Sequence, residues 1–67
     1  MKGILTKREK EIFEMLIINK TTKEIAKNLN ISEKTVRNHI SNVMQKLCVK
    51  GRASAVVELL RLGEFSL

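Results

Sequence analysis

The chain has 67 residues, of which 43% are hydrophobic, two are Phe and none is Trp, Tyr or Pro, so one small all-α domain with an aliphatic core is expected. A chain this short leaves little material for the walls of a catalytic cleft, which argues against an enzyme. Thirteen Lys plus Arg against seven Asp plus Glu give a net charge of +6 and suit a polyanionic partner; the single Cys permits no internal disulfide, and no membrane-length apolar run or signal core appears, so a cytoplasmic setting is expected.

Met1 to Leu5 reads as a lead-in whose Leu5 can staple the first helix. Thr6-Lys7-Arg8-Glu9 fits a capping box, in which hydroxyl and carboxylate satisfy backbone N–H groups at the helix start. The helix is expected over 7–18, with Ile12, Met15 and Leu16 as its main apolar stripe and Phe13 and Ile17 widening the face. Glu9 lies near that stripe, so besides capping it can meet a cation from another helix. Asn19 tolerates the left-handed conformation that ends helices.

A second capping box, Thr21-Thr22-Lys23-Glu24, opens a short helix over 22–29 that buries Ile25, Ala26 and Leu29. The methyl side chain of Ala26 permits close approach of a neighbouring helix. Only Asn30-Ile31-Ser32 separates this helix from the next, with Ile31 as an apolar plug and Ser32 as N-cap; Glu33 in the first turn favours the helix dipole. The third helix is expected over 33–47. At about 100° per residue, Val36, Ile40, Val43 and Leu47 make one seam, while Lys34, Asn38, Ser41 and Gln45 lie opposite with Arg37 on their flank. No carboxylate occurs from Lys34 to Leu47. A short helix, a tight turn and a longer helix with a donor-rich outer face form a helix-turn-helix suited to the major groove of DNA.

The last helix is expected over 52–62, stopped by Gly63. Ala55, Val56, Leu59 and Leu62 can face the core, and Ser54, Glu58 and Arg61 form a narrow polar stripe. Ala53, Val57 and Leu60 make a further apolar sector. That sector is either a surface for an identical helix across a two-fold axis or is covered by the tail through Phe65 and Leu67. The chain shows no repeat or linker and reads as one domain over 1–67.

The whole chain resembles the LuxR-type, or GerE-type, helix-turn-helix domain of bacterial transcription regulators. The matching residues are Leu5-Thr6, Arg8-Glu9, Glu11-Ile12, Lys23-Glu24-Ile25-Ala26, Ile31-Ser32, Thr35-Val36-Arg37, His39-Ile40, Lys46-Leu47, Arg52 and Ala55-Val56. The resemblance implies four helices, the second and third as the helix-turn-helix and the fourth for dimerisation. It further implies binding to two half-sites of double-stranded promoter DNA by a homodimer that acts on RNA polymerase. Members commonly carry a receiver or ligand-binding domain ahead of this module; none is expected here, nor a small-molecule ligand. The resemblance extends to a small standalone sporulation regulator, whose activity would be set by synthesis and turnover. Two departures stand out: many relatives have Gly where this chain has Asn19 and Cys48, and a left-handed Cys48 would cost on the order of 1 kcal/mol.

Base contacts are expected from Lys34, Arg37, Asn38 and Ser41. The resemblance implies the last three, and Lys34 rests on the helical wheel, with a phosphate contact as its other reading. Arg37 suits guanine and Asn38 suits adenine. Phosphate contacts are expected from Thr21, Thr22 and Lys23 at the start of the second helix and from Thr35, Asn42 and Lys46 along the third. Thr35 can instead serve a local cap. His39 fits a packed or phosphate-bonded imidazole; with no Cys/His cluster, neither a metal nor another cofactor is expected. The nucleoid in the cytoplasm is the expected location. Two other readings share these features: a sigma region four-like promoter-binding module, and a basic protein-interaction module for an acidic partner.

Overall fold

The computed structural model describes residues 3–66. Four helices follow one another, α1 (Lys7–Ile17), α2 (Thr22–Leu29), α3 (Glu33–Leu47) and α4 (Arg52–Arg61). Both capping boxes form. Thr6 Oγ1 accepts from the Glu9 N–H at 3.1 Å while Glu9 Oε1 accepts from the Thr6 N–H at 2.9 Å. Thr21 and Glu24 repeat the arrangement at 3.1 and 2.8 Å. Ser32 caps α3 by accepting from the Thr35 N–H at 3.0 Å.

The helix ends share one device. At each, a left-handed residue lets its own N–H and the next one close back onto the last turn: Asn19 and Lys20 on Leu16 and Met15, Asn30 and Ile31 on Lys27 and Ala26, Cys48 and Val49 on Gln45 and Met44, Gly63 and Glu64 on Leu60 and Leu59. The left-handed turn at Asn19 ends α1 at Ile17, one residue before the expected boundary, and the turn at Gly63 likewise ends α4 at Arg61. Cys48 adopts φ 57°, so the strain expected of a non-glycine residue there is present.

Helix α3 is the hub, packing against α1, α2 and α4. Its Val36, Ile40 and Val43 are buried against Ile12 and Phe13 of α1, Ile25 and Ala26 of α2, and Ala55 and Leu59 of α4. Ile31 in the turn and Leu47 pack on this cluster as half-buried plugs. The buried face of α1 is rotated from the expected stripe. Phe13, the largest fully buried side chain, and Glu9 join Ile12 in the interior, while Met15 and Leu16 are only half-buried. Among the described residues no helix is long and apolar enough to cross a membrane.

Candidate nucleic-acid interface

Burying Val36, Ile40 and Val43 fixes the rotation of α3 about its axis, and rotation decides what the helix offers outward. Lys34, Arg37, Asn38, Ser41, Asn42 and Gln45 are all exposed. Every one of these side chains donates hydrogen bonds, as an edge-reading helix requires. Among the described residues, Arg37 is the one of these six with an ion-pair partner. Its Nη1 lies 3.6 Å from Glu33 Oε1, one turn earlier, with the two side chains 55% and 46% exposed.

The start of α2 lies beside α4. Thr21 Oγ1 accepts the capping bond from Glu24, which leaves the hydroxyl proton able to donate outward. The backbone hydrogen bond from Thr21 holds the Glu24 carboxyl below its ordinary pKa, with the nearby Lys20 charge contributing less. Thr22 is not an isolated donor: its Oγ1 accepts from Arg52 Nη1 at 3.1 Å, which brings a guanidinium to the start of α2. Lys23 is exposed next to it. Nothing in the sequence pattern announced the Arg52 contact, because it joins residues 30 apart through the α3–α4 turn.

Thr35 is drawn into the local cap, its Oγ1 2.9 Å from Ser32 Oγ. His39 is half-buried. Lys46, expected to contact phosphate, has an acidic partner within the domain. Its ammonium turns back from α3, bonding Glu9 Oε1 at 2.6 Å and the Ile4 carbonyl at 3.3 Å. Glu9 is only 3% exposed. Burial by itself raises its carboxyl pKa, but the hydrogen bonds from Lys46 and the Thr6 N–H, with the Lys46 charge, outweigh it and hold the group below the ordinary carboxylate range. A buried anion thus takes up the Lys46 charge, and the pair ties the end of α3 to the start of α1.

On α4, Ala53 is exposed, Leu60 half-buried and Val57 62% exposed. Phe65 packs against the core cluster and leaves Val57 open; Leu67 lies outside the described residues. The polar stripe beside this sector is internally paired through Glu58 and Arg61. Among the described residues no three His, Cys, Asp or Glu side chains assemble a metal site.

Residues 3–59 match the family described as bacterial regulatory proteins, luxR family. The chain is 73% identical over 66 residues to the spore germination protein GerE of Bacillus subtilis (strain 168), spanning 98% of this chain and 89% of that protein. It is 45% identical over 60 residues to the transcriptional regulatory protein DegU of Brevibacillus brevis, 90% of this chain corresponding to 25% of that longer relative. A solved structure of the transcription factor GerE superposes with a TM-score of 0.92 at 61% identity, covering 96% of each chain.

Proposed function

The chain belongs to the luxR family of bacterial regulatory proteins and is a helix-turn-helix, DNA-binding transcriptional regulator; from that premise we propose that it lays α3 in the major groove of promoter DNA as a homodimer. The observation that carries this reading is the two-sided character of α3: Val36, Ile40 and Val43 are buried, while Lys34, Arg37, Asn38 and Ser41 stand exposed. In it, Arg37 pairs with the O6 and N7 acceptors of guanine, Asn38 with N6 and N7 of adenine, and Lys34 and Ser41 contact neighbouring edges.

Thr21, Thr22, Lys23, Asn42 and, from its place in the Ser32 cap, Thr35 frame that face and position the helix on the phosphates. Arg52 joins them, because its guanidinium already reaches the Thr22 hydroxyl. Lys46 is assigned to holding α3 in place instead, its charge being compensated by Glu9. The sector of Ala53, Val57 and Leu60 pairs with its copy in a second chain, so that two recognition helices address two half-sites. Residues 1–67 act as one such module, on the nucleoid in the cytoplasm, and the outcome at a promoter is exercised through RNA polymerase without a small-molecule ligand.

Selection from a random duplex pool at about 150 mM salt tests the reading, since that concentration screens much of the non-specific attraction. Enrichment of a short motif in two spaced copies is expected. Retention of DNA without any enriched motif would overturn sequence-specific reading and leave a basic interaction module.

A further inference from the structure

Helix α3 carries one carboxylate, Glu33, and it stands one turn before the arginine assigned to base reading. Its Oε1 lies 3.6 Å from Arg37 Nη1, and both side chains are about half exposed. An exposed pair of this kind contributes little to folding, so stability gives it slight purpose. A carboxylate on a surface meant for a polyanion also opposes binding in general. We propose that Glu33 is a positioning and specificity-determining residue that holds the Arg37 guanidinium for guanine and discourages it from settling on phosphate.

The guanidinium is a planar fork with five N–H donors. The ion-pair contact is at Nη1, which leaves the Nε and Nη2 edge of this half-exposed side chain available as a bidentate donor. Guanine offers that edge two neutral acceptors, which tolerate a carboxylate behind the guanidinium. A phosphate does not, because its charge meets that of Glu33 at close range. The same contact therefore limits the swing of a long side chain and biases its choice between base edge and backbone. This inference rests on the base-reading role proposed above for Arg37.

The test uses the full chain and the duplex recovered by selection, together with a duplex in which the guanine assigned to Arg37 is replaced. Glu33→Gln keeps the size and an acceptor oxygen but removes the charge that forms the ion pair with Arg37. It is expected to lower the preference for guanine at that position by about five-fold, within the range one good bidentate pair supplies. It is also expected to tighten binding to a scrambled duplex, with a salt slope steeper by about 0.9 for each added phosphate contact. In an Arg37→Ala background the same change should leave the guanine preference unaltered. An unchanged preference after Glu33→Gln, or an equal change in both backgrounds, would overturn the proposal while leaving base reading by Arg37 intact. If Arg37→Ala alone leaves the base preference untouched, base reading itself fails and the proposal falls with it.

Discussion

Replacing Glu9 by Ala removes a buried carboxylate that serves two elements at once. It accepts from the Thr6 N–H at 2.9 Å as the return half of the α1 capping box, and from Lys46 Nζ at 2.6 Å at the far end of α3. A charge-assisted hydrogen bond is worth about 1.5–3 kcal/mol and a cap about 1 kcal/mol. Part of the first figure is recovered because Lys46, 36% exposed, can return to water. The net cost of Glu9→Ala is therefore about 2–3 kcal/mol, against a total of about 3–5 kcal/mol for a core of this size. Glu9→Gln retains the cap and should lose about 1 kcal/mol. At about 4–8 °C per kcal/mol for a domain this small, the Ala variant should melt at least about 8 °C below the parent by circular dichroism at 222 nm.

The pH dependence has a defined sign. The folded Glu9 carboxyl is held below its ordinary value, so its stabilisation is fully present above the unfolded pKa of about 4.3 and is lost as pH falls through the folded value. Melting temperature should decline below about pH 5, and Glu9→Gln should flatten part of that decline. A Glu9→Ala protein that melts within about 2 °C of the parent would show that the pair contributes nothing net, as desolvation can bring about.

Cys48→Gly should stabilise by about 1 kcal/mol, raising the melting temperature by about 4–8 °C, because the left-handed φ of 57° strains any side chain with a Cβ; a lower melting temperature would refute that account. Arg52→Ala should weaken binding to every duplex and shallow the salt slope by about 0.9 per subunit, whereas Lys46→Ala should lower the melting temperature with little change in slope. Binding isotherms between about 50 and 200 mM salt separate the two. Val57→Asp should abolish dimerisation in sedimentation velocity while the helical signal is retained, because that side chain is 62% exposed. Leu60→Asp is a less clean test, Leu60 being half-buried.

Much of this fold was legible in local chemistry. The Thr6/Glu9 and Thr21/Glu24 boxes and the Ser32 cap each announce a helix start within four residues, and the Val36–Ile40–Val43 seam specifies which side of α3 is turned inward. The left-handed stops at Asn19 and Cys48 were legible too, one from Asn chemistry and one from the family resemblance. Asn30, in the short spacer before α3, is a third.

Contacts between distant segments were harder to read. The Lys46–Glu9 pair spans 37 residues, and a helical wheel gives the direction of a side chain but not its partner. The possibility that Glu9 meets a cation was open in the sequence; the identity of that cation was not. Nor does a wheel show that α1 is rotated toward Phe13 and Glu9, because that depends on which α1 side chains the neighbouring helices bury. Glu33–Arg37, by contrast, is within reach of the sequence through its i,i+4 spacing, beside the role of Glu33 at the helix dipole.

The most direct test of base reading by α3 replaces one guanine of the selected half-site with 7-deazaguanine, which lacks the N7 acceptor in the major groove. The parent chain should lose about 1 kcal/mol or more of binding at the guanine proposed to meet Arg37, while Arg37→Ala should be indifferent to the same replacement. An equal loss in both proteins, or no loss at any guanine of the motif, would contradict the placement of this helix in the groove.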